Sequence, residues 1–277
     1  MTKSYMVPIA VAAFGLATIT ATAPVMATSA SSVAAHRAFY DMELGDRMPN
    51  ATIVNVKGRS AYVIERDCEG WRSIEDYVLE FVGEGGSNER VLSHFESWEA
   101  DSGDKYSFDI SENSSFMGRK EFGGFAQRGI ADAGGDAGIA AFSIEPDAEI
   151  ALPAETHFPI QHLEEILTAA ETGQTILAAT LFTGAEPDDA LMKTNTVVGG
   201  WQETDDGAIL GTLDEAGYWP VRIAYFKPSS QSAEPEYEIN FAMQRNGVVR
   251  SYEIDYGDFS IKADLQKIEA VDAPVCS

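Results

Sequence analysis

Apolar side chains recur at every second position through most of this chain: Val54, Val56, Tyr62 and Ile64; Tyr77, Leu79 and Phe81; Tyr106, Phe108 and Ile110; Trp219, Val221, Ile223 and Tyr225; Tyr237, Ile239, Phe241 and Met243. A period of two places such residues on one face of a pleated strand and leaves the other face to water. The pattern predicts a mainly β protein built on a curved antiparallel sheet. Asn246-Gly247 follows the last of these runs and suits the positive backbone angles of a tight hairpin turn. Beyond it, Tyr252, Ile254 and Tyr256 occupy even positions, whereas Phe259, Ile261 and Leu265 occupy odd ones. The phase slips at Gly257, which predicts either a bulge that restores the inward face and bends the sheet, or two short strands joined by a kink.

One later segment has the helical period. From about Thr156 to Glu171, the residues Leu163, Ile166, Leu167 and Ala170 fall on one side of a helix, and Gly173 lies beyond its end. Thr156 is expected to cap the start, with Pro159 tolerated in the first turn. Long β runs precede and follow this helix, so we expect a sheet wrapped around a central helix rather than two domains. Gly83 to Asn88, Ile130 to Gly138, Gly184 to Asp189 and Lys227 to Pro235 read as connections, with Ala131 to Ala141 the most mobile.

The beginning of the chain has the three parts of a secretory signal: Lys3, an apolar stretch from Val7 to Ile19, and small residues at Ala21-Thr22-Ala23 and Val25-Met26-Ala27. An uncleaved anchor would need about 20 strongly apolar residues, more than this stretch supplies. We therefore expect residues 1–27 to be a cleaved signal peptide and 28–277 a single exported domain that does not span the membrane after processing. The 19 Lys and Arg against 44 Asp and Glu give a net charge of −25, which becomes −26 once Lys3 is removed. Such a chain repels nucleic acid, and no nucleic-acid partner is expected.

Only Cys68 and Cys276 are available for a disulfide. In an oxidising compartment two cysteines pair, and a bridge across 208 positions constrains the unfolded chain by about 5 kcal/mol. A redox-active pair is the alternative, but the Cys-x-x-Cys spacing is absent.

The residues contain no nucleophile elbow, phosphate loop, dinucleotide fingerprint or His-Glu-x-x-His pattern, so no catalytic residue, cofactor or metal ligand is assigned. His157 and His162 are five apart and read as helix-start or packing residues. Glu164 and Glu165 point to different sides of a helix and form no catalytic pair. Asp101-Ser102-Gly103-Asp104 and Asp205-Asp206-Gly207 lack the full calcium-loop pattern and read as turns. Asn50-Ala51-Thr52 and Asn113-Ser114-Ser115 match the glycosylation triplet, to which no function is attached. The 14 Phe, 10 Tyr and 4 Trp on β elements either fill a core or line an apolar cavity.

Several stretches resemble the cell-envelope integrity protein EipB family of Gram-negative bacteria: His36-Arg37-Ala38-Phe39-Tyr40-Asp41-Met42-Glu43-Leu44, Asp67-Cys68-Glu69-Gly70-Trp71, Ser97-Trp98-Glu99, Thr156-His157-Phe158-Pro159-Ile160-Gln161-His162, and the terminal Cys276. The resemblance covers essentially the whole mature chain. It implies a periplasmic β-spiral, an incompletely closed barrel around a helix with its end fastened by the paired cysteines, and a role in the cell envelope. Three functions follow as expectations. The first is a non-enzymatic protein holding a lipid, lipoprotein or other apolar ligand in a curved groove, by analogy of shape with lipoprotein carriers. The second is a scaffold for an envelope protein partner, acting through its acidic outer surface. The third, ranked last, is an envelope hydrolase using scattered carboxylates.

Overall fold

A computed structural model describes residues 33–129, 137–143, 148–204, 210–272 and 274–276. The expected signal peptide lies outside the described residues, as do Asp205-Asp206-Gly207 and most of the Ala131 to Ala141 connection. Described chain contacts group Ser31–Ser277 as one unit.

The alternating runs become strands. In chain order they are β1 (His36–Arg47), β2 (Ile53–Arg66), β3 (Gly70–Gly83), β4 (Asn88–Ala100), β5 (Lys105–Ser114), β6 (Gly118–Gln127), β7 (Gly138–Phe142) and β8 (Ala148–Leu152). After the short β9 (Thr156–His157) and helix α1 (Pro159–Thr172) come β10 (Ile176–Phe182), β11 (Leu191–Val198), β12 (Trp219–Phe226), β13 (Tyr237–Met243), β14 (Val249–Asp255) and β15 (Phe259–Ala270). Among the described residues they form one 15-stranded sheet, ordered β8-β7-β6-β5-β4-β3-β2-β1-β15-β14-β13-β12-β11-β10-β9. The first and last strands are thus neighbours at its centre, His36 opposite Ala270 and Leu44 opposite Ile261. Both free edges, β8 and β9, come from the middle of the chain and immediately precede α1. All pairings are antiparallel except β9 with β10.

The sheet curls until its two ends meet, and among the described residues side chains rather than backbone hydrogen bonds make the seam. Tyr106 of β5 stacks on Phe158 at 5.2 Å and meets Phe182 of β10 edge-on at 5.8 Å. Phe108 meets Phe142 at 5.5 Å and Phe182 at 5.8 Å. Lys120 pairs with Glu186, and Arg128 donates to the Thr156 carbonyl. This is the incompletely closed, spiral barrel that a strand-rich chain around one helix requires.

The phase slip at Gly257 is a chain reversal, not a bulge. Gly257 adopts φ 87° in a turn closed by the Tyr256 N–H to the Phe259 carbonyl at 3.0 Å, and β14 and β15 then pair antiparallel. A bulge does occur further along: Phe39 faces Lys267 while Tyr40 faces Leu265, leaving Gln266 as the extra residue. The hairpin expected at Asn246-Gly247 forms between β13 and β14, with Gly247 at φ 80° and its N–H bonded to the Gln244 carbonyl at 3.0 Å.

Helix α1 begins at Pro159, three residues later than expected, and Thr156 does not cap it. Thr156 belongs to β9, where its hydroxyl is buried without a partner. The predicted face is correct: Ile166, Leu167 and Ala170 are buried, Leu163 packs beside them, and Gly173 ends the helix with φ 77°. The helix blocks one end of the barrel, against Ile64, Trp71, Val198, Trp219 and Met243. At the other end lie the β1–β2, β3–β4, β5–β6, β12–β13 and β14–β15 turns.

Candidate functional site

The helix end of the barrel is organised by two acidic side chains. Phe158 stands at the N-cap position and has no polar side-chain atom, while Pro159 has no N–H. Glu99 at the end of β4 supplies the missing acceptors: one oxygen receives the Ile160 N–H at 2.7 Å, the other the Gln161 N–H at 2.9 Å. The His162 N–H reaches the Phe158 carbonyl at 3.0 Å, which completes the first turn. Glu99 is 3% exposed, and its burial raises the carboxyl to about 7 against the two amide donors; the Glu164 charge adds to the rise and Arg128 opposes it. Asp67 shapes the β2–β3 turn. One of its oxygens accepts the Glu69 and Gly70 N–H groups, at 2.8 and 2.7 Å, and the other the Trp98 indole N–H at 2.9 Å. Its slight desolvation favours the neutral acid, but these donors outweigh it and lower the pKa.

That turn presents Cys68, which is bonded to Cys276 with the Cα atoms 5.5 Å apart. Cys276 lies on the tail beyond β15, so the bridge ties the C-terminal tail across the start of β1 to the β2–β3 turn. Both cysteines are exposed at the helix end.

The other residues singled out in the sequence have structural roles. His157 precedes the helix and pairs with Glu165 at 2.9 Å. His162 is buried, 3.5 Å from the Thr194 hydroxyl, and burial together with the charge of His157 lowers its pKa to about 4. Asp101 pairs with Arg66 at 2.5 Å in the turn that holds Gly103 at φ 66°. Among the described residues no three His, Cys, Asp or Glu side chains are grouped to hold a metal ion. Asn50 lies in the β1–β2 turn and Asn113 on β5.

Between the packed regions of the barrel the inner face is not fully covered. Register puts Tyr62 opposite Glu75 and Glu75 opposite Phe95, and likewise Ser60 opposite Tyr77 opposite Ser93. From the other half of the sheet come Ile239 opposite Ile254 and Phe241 opposite Tyr252. Tyr62, Glu75, Tyr77, Phe95, Phe241 and Tyr252 all point inward, yet each is only half-buried. A filled barrel would enclose them; their remaining exposure defines an interior hollow. Tyr62 borders both the helix-end core and the core of β1, β2, β3 and β15, marking where those two packed regions separate. At the end opposite the helix, exposed apolar side chains stand on three turns: Met48 (51% exposed), Phe116 (82%) with Met117 (79%), and Tyr256 (46%).

A second concavity lies outside. A groove of about 780 Å³ crosses the outer face from β15 to β6, lined by Phe39, Arg59, Asp76, Leu92, His94 and Arg119. Its charges are already matched: Arg59 with Asp41 at 3.2 Å, His94 with Asp76 at 2.7 Å, and Arg119 with Glu121. Of the aromatics that alternation placed on strands, Tyr106, Phe108, Trp219 and Tyr225 fill packed cores, while Tyr62, Tyr77 and Phe241 are the inward ones left partly exposed. Glu75 and Glu99 were not singled out as functional residues from sequence, although Glu75 shares the parity of Tyr77, Leu79 and Phe81, which was the available signal.

Known proteins share this fold and sequence. The family model described as EipB-like matches residues 27–272. The cell envelope integrity protein EipB of Brucella abortus (strain 2308) is 31% identical over 251 residues, covering 89% of this chain and 87% of that protein. The crystal structure of a beta-barrel-like protein of a domain of unknown function from Brucella abortus superimposes with a TM-score of 0.78 at 30% identity, covering 88% of this chain and 100% of that one. The spiral barrel, its helix and the sequence shared along nearly the whole chain make this protein a member of the EipB-like family.

Proposed function

We propose that this is a non-enzymatic periplasmic protein that supports cell-envelope integrity by holding a lipid, lipoprotein or other apolar ligand in the barrel. The half-exposed inner face carries this reading. The part of an inward aromatic side chain that stays exposed forgoes burial free energy of about 25 cal/mol per Å² until an apolar body fills the space beside it. Apolar hollows with a few convergent polar groups are the usual form of small-molecule sites. The apolar turn tips at the end opposite the helix give an apolar ligand a compatible entry. The envelope role is carried over from the Brucella relative's name, and the compartment rests on the leader at residues 1–27 together with a family match that begins at residue 27.

Native mass spectrometry of protein purified without detergent from its own periplasm, followed by solvent extraction, tests this. A stoichiometric lipid or acylated peptide is expected. A clean apo mass, unchanged after incubation with envelope lipid extract, would move the function outside. The outer groove favours that second reading, an acidic scaffold for an envelope protein partner, because its paired charges and the exposed Leu92 are suited to a polar protein surface.

A further inference from the structure

Two carboxyls without an ion pair among the described residues face the hollow, Glu112 of β5, opposite Ser93 and beside Tyr77, and Glu75 of β3. Glu75 points inward by register from the middle of β3, while its neighbours Ile74 and Asp76 point outward. It makes no hydrogen bond or ion pair among the described residues, and it keeps partial exposure inside the barrel. The cations that could have answered it are engaged elsewhere. Arg128 is held by the Gly103 and Thr156 carbonyls, Arg250 lies 3.4 Å from Asp214, and Lys120 pairs with Glu186. Burial and the like charge of Asp76 both raise the pKa of Glu75, as expected of a carboxyl set into an aromatic wall with no counter-ion.

What surrounds it is aromatic. The Glu75 charge acts on the hydroxyls of Tyr40, Tyr62, Tyr77, Tyr252 and Tyr256, which come from five strands or turns on both halves of the sheet. Tyr40 already donates its proton to the Val249 carbonyl at 2.8 Å, so its remaining lone pairs accept. A carboxylate without a counter-ion, set among several tyrosines and with Glu112 on the same face beside Tyr77, is the environment that stabilises an organic ammonium, through charge and through the electron-rich ring faces. An anionic head would meet an unpaired carboxyl in a low-dielectric space and be repelled.

We propose that the hollow takes an amphiphile with a cationic nitrogen head, seated at Glu75 and the tyrosines, and an apolar chain along Phe95, Ile239, Phe241 and Ile254. This rests on the apolar-ligand reading above and narrows it to one charge class.

The test uses four single-chain probes below their micelle concentrations: decylammonium, decyltrimethylammonium, decanoate and decyl maltoside, titrated calorimetrically into the oxidised protein. Both cations are expected to bind about tenfold or more tighter than the other two. Glu75→Gln should erase that preference while leaving decyl maltoside binding unchanged. Asp46→Asn, which removes the same charge from an exposed site outside the barrel, should preserve it and so separates Glu75 from the general acidity of the chain. Equal binding of all four probes, or a cation preference that survives Glu75→Gln, overturns the assignment of Glu75 while leaving the apolar hollow in place. If no probe binds, the hollow reading falls, and this inference with it.

Discussion

Replacing Glu99 removes the acceptors of a helix start that has no others nearby. In Glu99→Ala the Ile160 and Gln161 N–H groups lose their partners, and Ile160 is buried. Each orphaned donor costs about 1–3 kcal/mol, and loss of the negative charge at the helix N-terminus adds up to about 1 kcal/mol. Relief of the carboxylate's desolvation offsets part of this, for a net loss of about 3 kcal/mol. In a domain of this size that is a fall in melting temperature of about 6–12 °C. Glu99→Gln keeps a carbonyl oxygen for one N–H but turns an amino group toward the other, so about half the loss is expected. The two variants also differ from the parent in pH dependence. With its carboxyl raised to about 7 from 4.5, Glu99 contributes stability that is fully present below pH 4.5 and is lost as the pH rises through about 7. Glu99→Gln removes that slope. Urea unfolding of oxidised protein between pH 5 and 8, with the denaturant slope checked for constancy, measures both effects. An alanine variant within about 0.5 kcal/mol of the parent, or a glutamine variant that keeps the parent's slope, would refute the cap.

Cys276→Ser should lower stability by up to about 5 kcal/mol in urea while far-ultraviolet dichroism retains the strand signal, because β15 stays paired with β1 and β14; free thiols in protein taken from the periplasm would contradict the bridge. Phe182→Ala, at the fully buried centre of the seam, should cost about 3–5 kcal/mol and speed hydrogen exchange in β10 and β5 before other strands. Because the His162 pKa is lowered to about 4, the stability it contributes is present above pH 6.5 and is lost as the pH falls through about 4. His162→Gln should therefore flatten thermal melts between pH 6.5 and 4 relative to the parent, and an unchanged acid limb would rule His162 out as their cause.

The strands were legible because each covers one face and wets the other, which writes a period of two directly into β2, β3, β5, β12 and β13. The helix was legible for the same reason at its own period, except at its start. Thr156 is the local residue type that caps helices, but the acceptor comes from Glu99, 61 positions before the Ile160 N–H it receives, and no local pattern reports a contact at that distance. At Gly257 a bulge and a chain reversal produce the same slip of phase; only the antiparallel partner of β14 separates them. The bridge could be read because two cysteines leave one pairing. The hollow could not, since the space left inside depends on how many strands curl and how tightly, a property of the whole sheet. Glu75 was within reach: extending the Tyr77, Leu79, Phe81 alternation one step back places an acid on the covered face, where an acid needs a reason to be.

A larger side chain placed inside distinguishes a hollow barrel from a filled one. In a packed core Ile239→Trp would force neighbours apart and cost about 1–3 kcal/mol. The inward, half-buried position of Ile239 on β13 predicts instead that the variant melts within about 2 °C of the parent. It also predicts that the parent binds the apolar fluorophore N-phenyl-1-naphthylamine at one saturable site and that the variant does not. A parent that fails to bind the probe, or a variant that is destabilised and binds it as before, would contradict an apolar ligand site within the barrel.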